Sequence, residues 1–247
     1  MPAQEATTPS DLAGQVVAVV GASSGIGLAA VRAAAGRGAR VVMLARSAAQ
    51  LQEAARGIAG DVQAVAMDML DRSAVERAIG GLARLDHLVL TAVADELARR
   101  APVAALTDAQ VERSFDRLRG YICAVRAAAP RLAGRGSITM VNGASAVKPP
   151  RQGFSLLAAE NASILGFGRA LALELSPQRV NVVMAGVVDT PIHAGRREQV
   201  RAWAESEDLP ARRFGQPDDL AQAILFLMTN PYSTGAVLTV DGGLTAT

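Results

Sequence analysis

The chain has little cysteine, histidine or aromatic content, and each shortage excludes a class of protein. Its single cysteine, Cys123, cannot form an intramolecular disulfide, so a disulfide-stapled secreted domain is excluded and a reducing, cytoplasmic compartment is expected. Two histidines and one cysteine provide no set of metal ligands, so no metal site is predicted. Aromatic residues make up 3% of the sequence, and the core must therefore consist mainly of Ala, Val, Leu and Ile.

Strong charge and long apolar runs are also missing. The formal net charge is +2 over 247 residues, which leaves no electrostatic footprint for nucleic acid. No apolar run approaches the roughly 20 residues that cross a bilayer, so no membrane partner is expected. Residues 1–13 are polar and lack the layout of a signal peptide. We expect this segment to be a disordered tail before a single domain over residues 14–247, which acts on a small molecule.

Apolar runs alternate with helical patterns along the rest of the chain. Several of the runs are apolar throughout, as strands buried on both faces are. The pattern predicts an α/β fold, a Rossmann-type doubly wound parallel sheet of about seven strands with helices on both faces. The predicted strands are Val16–Val20, Arg40–Ala45, Val62–Met67, His87–Thr91, Ser137–Asn142, Val180–Met184 and Ala236–Val240. The predicted helices are Ile26–Arg37, Ala48–Ile58, Arg72–Ala83, Asp108–Ala133, Gly153–Leu175 and Pro217–Thr229.

A glycine-rich turn follows the first predicted strand and opens the first predicted helix. It reads Gly-Ala-Ser-Ser-Gly-Ile-Gly over residues 21–27. Glycine lets the backbone approach a pyrophosphate, and the helix N-terminus offers unpaired N–H groups and a partial positive charge. The turn therefore predicts a dinucleotide site, and a tight β–α turn without a ligand is the alternative. The residues expected to contact the nucleotide here are Gly21, Ser23, Ser24, Gly25, Ile26 and Gly27.

The end of the second predicted strand indicates which dinucleotide is bound. Arg46 stands where an acidic residue would otherwise hold a ribose 2′-hydroxyl. Arginine pairs bidentately with phosphate, so NADP(H) is preferred over NAD(H) unless Arg46 is only a solvated surface residue. Asp68 and Met69 follow the third predicted strand, where an adenine ring would lie.

With these features the chain resembles the short-chain dehydrogenase/reductase family. The resemblance rests on the glycine turn, on Asp68 and on four later segments: Arg179–Val182, Gly186–Pro191, Arg213–Pro217 and Val240–Gly243. It implies that Ala92, Gly186 and Val188 adjoin the cofactor and that Thr190 contacts the nicotinamide carboxamide. It also implies that the long irregular stretch Val187–Gln216 forms a lid over the substrate.

The resemblance fails at the residues that carry the chemistry. Family members usually reduce a carbonyl or oxidise an alcohol with serine, tyrosine and lysine, helped by an asparagine. In this chain the serine position falls at Gly143 or Ala144, the tyrosine position at Leu157 and the lysine position at Asn161. The asparagine position is Arg117. Leucine has no proton to give, and losing a positioned general acid costs about a hundred- to ten-thousand-fold in rate, so the usual mechanism is predicted to be absent.

Four polar residues remain as candidates for catalysis: Arg117, Asn142, Lys148 and Asn161. Arg117 could supply the lost positive charge, with a solvated arginine slightly favoured as the alternative. Asn161 could bind a ribose hydroxyl or lie on the helix surface as an ordinary amide. Asn142 and Ser145 flank the missing serine and could polarise a carbonyl, or only complete hydrogen bonds at a strand end. Lys148 is the best remaining proton donor by type, although a lone loop lysine is usually exposed.

The lid carries further ionisable residues. His193 has a titration range suited to acid–base work, but a lone lid histidine is more often a surface residue. The lid arginines could attract an anionic substrate. They alternate with acidic residues, so a mixed solvated helix face is the favoured interpretation.

Three functions remain open at this stage. The first is an NADP(H)-dependent oxidoreductase with a non-standard active site, acting on a small carbonyl, alcohol, enone or imine. The second is a non-redox enzyme on the same scaffold, such as a cyclase, isomerase or dehydratase. The third is a non-catalytic nucleotide-binding protein or hetero-oligomer partner. The alanine-rich stretches Ile122–Ala129 and Leu156–Ala172 match the helices through which family members pair, so a homodimer or homotetramer is expected.

Overall fold

A single parallel sheet forms the centre of the protein. The computed structural model describes residues 12–93, 100–206 and 208–246. Seven strands pair in the order β3-β2-β1-β4-β5-β6-β7, and every pairing is parallel. The predicted doubly wound Rossmann-type sheet is therefore confirmed. The strands are β1 Val16–Val20, β2 Arg40–Ala45, β3 Val62–Ala66, β4 Leu85–Leu90, β5 Leu132–Gly143, β6 Arg179–Ala185 and β7 Val237–Val240.

Helices cover both faces of this sheet. One apolar core lies between the sheet and α5 and α6, and a second lies between the sheet and α1 and α8. Strands β4 and β6 are buried along their whole length, although each also contains polar residues: Asp86 and His87 in β4, and Arg179 and Asn181 in β6. The helices are α1 Gly25–Ala35, α2 Ala48–Arg56, α3 Arg72–Val75, α4 Asp108–Glu112, α5 Asp116–Ala128, α6 Ser155–Glu174, α7 Arg197–Ala204 and α8 Pro217–Thr229.

The strand order places a crevice beside the glycine turn. Strand β1 pairs with β2 on one side and with β4 on the other, so the chain winds away from β1 in both directions. Ligands in open α/β sheets bind at this switch point, outside the carboxyl ends of the strands. Gly21 directly follows β1, and Thr91 directly follows β4. The Thr91 hydroxyl donates to the Val20 carbonyl over 2.9 Å and joins the two strand ends.

The single helix predicted over Asp108–Ala133 is two helices. Thr107 caps α4 with a reciprocal hydrogen-bond pair to Gln110, as its sequence position favours. The chain then leaves the helix, because the Ser114 hydroxyl donates to the Val111 carbonyl and competes for that helical acceptor. Helix α5 starts afresh at Asp116, so Arg117 lies in its first turn.

Two boundary predictions were also wrong. The predicted tail included Leu12, but this side chain is 1% exposed and its N–H donates to the Arg37 carbonyl over 3.0 Å. Residues 1–11 of that predicted tail lie outside the described residues. The stretch Val187–Gln216 is not irregular throughout, because it contains a 3-10 helix over Pro191–Arg196 followed by α7. A small apolar cluster of Ala204, Leu209 and Phe214 holds this lid together.

Helix α6 differs from the prediction that no apolar run is long enough to cross a bilayer. Its 20 residues contain a window of mean hydropathy 1.2, long and apolar enough to cross a membrane by length and composition. In the structure its Ile164 and Leu171 side chains are buried in the core beside β5 and β6. A core helix of a globular domain satisfies the same criterion.

Candidate functional site

One cavity of about 1400 Å³ opens at the carboxyl ends of the strands. Every residue predicted to bind the cofactor lines it, and so does every candidate for catalysis. The cofactor set is Gly21, Ser23, Ser24, Gly25, Ile26, Gly27, Arg46, Asp68, Met69, Ala92, Asn161, Gly186, Val188 and Thr190. Arg117, Asn142, Lys148 and Asn161 are the catalytic candidates. Sequence positions spread over the whole chain therefore meet in one place.

The glycine turn has the geometry that a bound pyrophosphate needs. Gly21 has φ +92°, and a Cβ there would lie 2.5 Å from the backbone nitrogen of Ala92. A Cβ on Gly27 would overlap the Gly21 carbonyl oxygen, so the turn packs directly on the first turn of α1. Ser24 stands at the N-cap of α1, yet its side chain makes no capping hydrogen bond to the helix. Its hydroxyl and the first N–H groups of α1 thus remain for an anion.

The adenosine end of the cavity also fits a dinucleotide. Arg46 is exposed at the end of β2, and within the described ranges no hydrogen bond or ion pair involves it. The Asp68 carboxylate accepts from the Leu70 N–H over 2.9 Å through one oxygen, which leaves the other for an adenine amine. Met69 is 7% exposed and packs against Gly120 of α5, where any side chain would collide with its sulfur.

A buried polar cluster lies between α5 and α6. Arg117, Glu160 and Asn161 are 5%, 1% and 2% exposed. The Arg117 guanidinium donates to the Asn161 side-chain oxygen over 2.5 Å and lies 3.8 Å from a Glu160 carboxylate oxygen. The other Glu160 oxygen accepts from the backbone N–H of Arg117 over 3.0 Å. The interpretation of Arg117 as a solvated arginine is wrong, because Arg117 is buried and pairs with the buried Glu160.

Asn161 connects that cluster to the end of β5. Its side-chain oxygen also accepts from the Gly143 N–H over 2.8 Å, and its Nδ2 donates to the Ser145 hydroxyl over 2.8 Å. Its backbone carbonyl accepts from Asn142 Nδ2 over 3.0 Å. The interpretation of Asn161 as a helix-surface amide is therefore wrong. The Asn142 side-chain oxygen is buried and, within the described ranges, makes no hydrogen bond.

Two residues near this network in the sequence also line the cavity. Leu157, one turn before Asn161 on α6, lines the cavity with an apolar side chain. Lys148 also lines it, and its ammonium group donates to the Leu244 carbonyl over 2.9 Å. This bond ties the loop after β5 to the C-terminal segment. Lys148 is therefore held in place rather than loosely exposed.

His193 is more buried than the sequence suggested. It lies one turn after Thr190, whose carbonyl accepts its N–H over 3.0 Å, and it lines the cavity. Its ring is 5.8 Å from that of Phe214, and its Nδ1 is buried with no hydrogen-bond partner in the described part of the chain. Burial, and then the positive charge of Arg196, lower the pKa of His193, so the imidazole is neutral near pH 7.

Sequence reasoning missed the residue that fixes the lid. The Asp189 side chain is 6% exposed and accepts from Arg197 over 2.7 Å and from Arg201 over 3.3 Å. The hydrogen bond from Arg197 lowers the pKa of Asp189 further below its ordinary range. Two of the lid arginines therefore bind the largely buried Asp189, and they are not part of a mixed helix face that is wholly solvated. No local sequence pattern indicates these contacts, which join residues 8 and 12 positions apart.

Comparison with known proteins identifies the family. A family model described as enoyl-(acyl carrier protein) reductase matches residues 21–245. A 3-oxoacyl-[acyl-carrier-protein] reductase of Bos taurus is 34% identical over 241 residues, covering 94% of this chain and 99% of the relative. A solved short-chain dehydrogenase/reductase family protein superposes with a TM-score of 0.86 at 33% identity, covering 96% of this chain and all of that one. The chain belongs to the short-chain dehydrogenase/reductase family.

Two other members bear on the site. A cis-4-hydroxycyclohexanecarboxylate dehydrogenase of Sinomonas cyclohexanicum is 34% identical over 244 residues, covering 94% of this chain and 97% of the relative. The NADPH-bound structure of a short-chain oxidoreductase from Pseudomonas aeruginosa PAO1, described as containing an atypical catalytic center, superposes with a TM-score of 0.87. It is 29% identical and covers 96% of this chain and 98% of its own. The protein is thus similar to oxidoreductases that use nicotinamide cofactors.

Proposed function

We propose that the protein is an NADP(H)-dependent oxidoreductase that acts on a small carbonyl, alcohol, enone or imine without a tyrosine proton donor. The observation that carries the proposal is that the glycine turn, Arg46 and the polar network around Asn161 all line the same cavity. When bound, the cofactor supplies or accepts a hydride. The chain's own residues bind its phosphates, orient its ribose and polarise the substrate oxygen.

Arg46 supports the choice of NADP(H). Its guanidinium is not engaged by any described residue, and it borders the cavity where a 2′-phosphate would emerge. Within the described ranges, the acidic side chain that lines this end is Asp68, which is already oriented by the Leu70 N–H. The NADPH-bound relative from Pseudomonas aeruginosa supports the same cofactor.

The polar network supports a substrate with a reactive oxygen or nitrogen. Arg117 and Asn161 can hold a ribose hydroxyl or the substrate from the α5–α6 side, while Asn142 and Lys148 border the cavity from the loop after β5. Leu157 supplies no proton, so the proton that balances a transferred hydride comes from solvent. An activated double bond or an iminium, which needs no strong acid, suits such a site.

The apolar side chain of Leu157 also favours a second candidate, a non-redox enzyme such as an isomerase, cyclase or dehydratase. In that case the substrate is turned over with no change in nicotinamide absorbance. A substrate panel followed both by absorbance and by product analysis separates the two. Loss of absorbance with reduced product supports the oxidoreductase, and product without loss of absorbance supports the alternative.

Calorimetric titration of nucleotide-free protein with NADPH and with NADH tests the cofactor. We expect NADPH to bind more tightly, and Arg46→Gln to lose about tenfold to a hundredfold in NADPH affinity, the value of one or two hydrogen bonds to a charged group. NADH affinity should change little. Arg40→Gln is the matched control, because Arg40 lies on the same strand β2 at its opposite end and pairs with Asp61.

Failure to bind either nucleotide would remove the oxidoreductase proposal and leave a non-redox or non-catalytic role. Equal binding of NADPH and NADH would remove only the role of Arg46.

We further propose that the protein is a cytoplasmic homodimer or homotetramer paired through α5 and α6. Leu173 on α6 is 82% exposed, and light scattering on Leu173→Asp protein should show weaker association if this face pairs.

A further inference from the structure

The orientation of the Asn161 side-chain amide is fixed by its neighbours. Two donors, the Arg117 guanidinium and the Gly143 N–H, point at one end of the amide, over 2.5 Å and 2.8 Å. Neither donor can accept a hydrogen bond, so this end must be the oxygen. The other end is therefore the NH₂ group, and it faces the Ser145 hydroxyl over 2.8 Å.

This orientation decides what Ser145 can do. Its oxygen accepts the hydrogen bond from Asn161 Nδ2, so its own proton is left for a different acceptor. Within the described ranges no residue accepts from the Ser145 hydroxyl, and Ser145 lines the cavity. The hydroxyl is thus a hydrogen-bond donor available to whatever occupies the cavity beside the end of β5.

The charge behind this hydroxyl is buried. The Arg117 side chain is 6% exposed, and the intervening Asn161 is 2% exposed, so water screens the guanidinium weakly. In such surroundings, consecutive hydrogen bonds polarise one another. Glu160, 3.8 Å from the guanidinium, offsets part of the charge. The guanidinium still bonds the Asn161 amide directly. In the series of contacts from Glu160 through Arg117 and Asn161 to Ser145, Glu160 is the residue furthest from Ser145.

We propose that Arg117, Asn161 and Ser145 form a polarised relay in which the Ser145 hydroxyl donates a hydrogen bond to the reacting oxygen of the substrate. Ser145 is the catalytic residue, and Arg117 and Asn161 are positioning residues. In a carbonyl reduction, the reduced nicotinamide of the proposed function would supply the hydride that forms the new C–H bond, and the carbonyl π electrons move to oxygen. Ser145 stabilises that negative charge and keeps its own proton, while water protonates the oxygen. The relay itself is independent of the proposed function; only the claim that a substrate oxygen accepts the hydrogen bond from Ser145 rests on it.

A thiol introduced in place of the Ser145 hydroxyl reports the relay without any substrate. The test protein carries Ser145→Cys together with Cys123→Ala, so that one thiol remains. The rate of alkylation by iodoacetamide against pH gives the thiol pKa. An ordinary cysteine has a pKa of about 8.5, and the relay should lower it by at least about one unit because Asn161 Nδ2 and the charge behind it stabilise the thiolate. A value of about 8.5 or above would overturn the proposal.

Changes to the charge behind Asn161, made in this single-thiol protein, separate polarisation from simple hydrogen bonding. Arg117→Gln can still donate to Asn161 but carries no charge, so the thiol pKa should return toward about 8.5. Arg117→Lys should keep the lowered value. Arg119→Gln is the matched control, since Arg119 lies on the same helix and pairs with Asp116 instead. An unchanged thiol pKa in the Arg117→Gln protein would show that the charge plays no part.

A second variant keeps the test informative if Arg117→Gln does not fold. Glu160→Gln removes the neutralising carboxylate but leaves an oxygen to accept from the Arg117 N–H. The pKa of the introduced thiol should then fall further, and a rise would contradict the relay. These readings need neither cofactor nor turnover. A lowered thiol pKa in protein that binds no NADPH would remove the proposed function and leave the relay standing.

Discussion

His87 is expected to make the fold sensitive to mild acid. It lies in the middle of the sheet on β4, is 4% exposed, and pairs in register with Val17 of β1 and Ser137 of β5. Its Nε2 is 2.7 Å from Gln15 Oε1 and its Nδ1 is 2.8 Å from the Ser137 hydroxyl. The amide oxygen needs a donor, so the neutral ring carries its proton on Nε2 and accepts from Ser137 at Nδ1.

The neutral form is strongly favoured in the folded state. Burial, and then the positive charge of Arg179, lower the pKa of His87 from 6.5 to about 4, while Asp86 opposes the shift. Between pH 6.5 and pH 4, a histidine whose pKa is lowered by folding binds fewer protons in the folded state than in the unfolded state. Its contribution to stability is therefore complete above about pH 6.5 and is lost as the pH falls toward 4. Between pH 7 and pH 5 the free energy of unfolding should fall by about 2 kcal/mol from this residue.

Urea unfolding followed by circular dichroism at pH 7, 6 and 5 measures this loss. His87→Gln has no titrating group and should lose about 2 kcal/mol less than the natural protein over this range. His193→Gln is the matched control, because His193 is half-buried on the lid and its replacement leaves the His87 effect in place. If the His87→Gln and natural proteins lose stability equally between pH 7 and pH 5, the assignment is wrong.

Two further predictions concern the cavity and its lid. Gly21→Ala places a Cβ 2.5 Å from Ala92 N at φ +92°, so urea unfolding should show a loss of about 2 kcal/mol or more, with weaker NADPH binding in calorimetry. Asp189→Asn weakens the bonds to Arg197 and Arg201, so trypsin should cut the lid faster than in the natural protein while the midpoint of urea unfolding changes little. Equal digestion rates would show that Asp189 does not hold the lid.

The sheet could be predicted from the sequence because its signals are local. Each strand contains a short stretch that is mainly apolar, and the glycine turn alone indicates the β1–α1 junction. The observed strands differ from the predicted ones by a few residues at their ends, with β5 extended back to Leu132. The break in the helix predicted over Asp108–Ala133 was not visible, because it depends on how Ser114 uses its hydroxyl, and serine occurs both within helices and at their ends.

The polar network could not be predicted because its bonds join distant residues. Arg117 and Asn161 are 44 positions apart, and Asn161 and Ser145 are 16 apart. Arginines on a helix are usually exposed, which made a solvated Arg117 the favoured expectation. The residue that makes this expectation wrong is Glu160, which belongs to no recognised motif. Its carboxylate bonds the Arg117 N–H at the start of α5 and lies beside the guanidinium, so the interior holds a paired charge rather than a lone one.

The Arg117–Asn161 pair reverses the arrangement that the family resemblance implies. By resemblance to the family, α5 should carry the amide and α6 the cation, whereas here the cation is on α5 and the amide on α6. The two side chains still meet, over 2.5 Å. A cation–amide contact is therefore present between these two helices beside the cavity.

A double-mutant cycle tests whether Arg117 and Asn161 act as a pair. Arg117→Asn alone leaves the buried Glu160 without its guanidinium and should lower the free energy of unfolding by about 3 kcal/mol. Asn161→Lys alone places a second cation beside the first and should also destabilise the fold. The two changes together restore one cation and one amide between the helices, so the double variant should be more stable than the sum of the single effects by on the order of 1–3 kcal/mol. Strict additivity would mean that the two positions do not act as a pair.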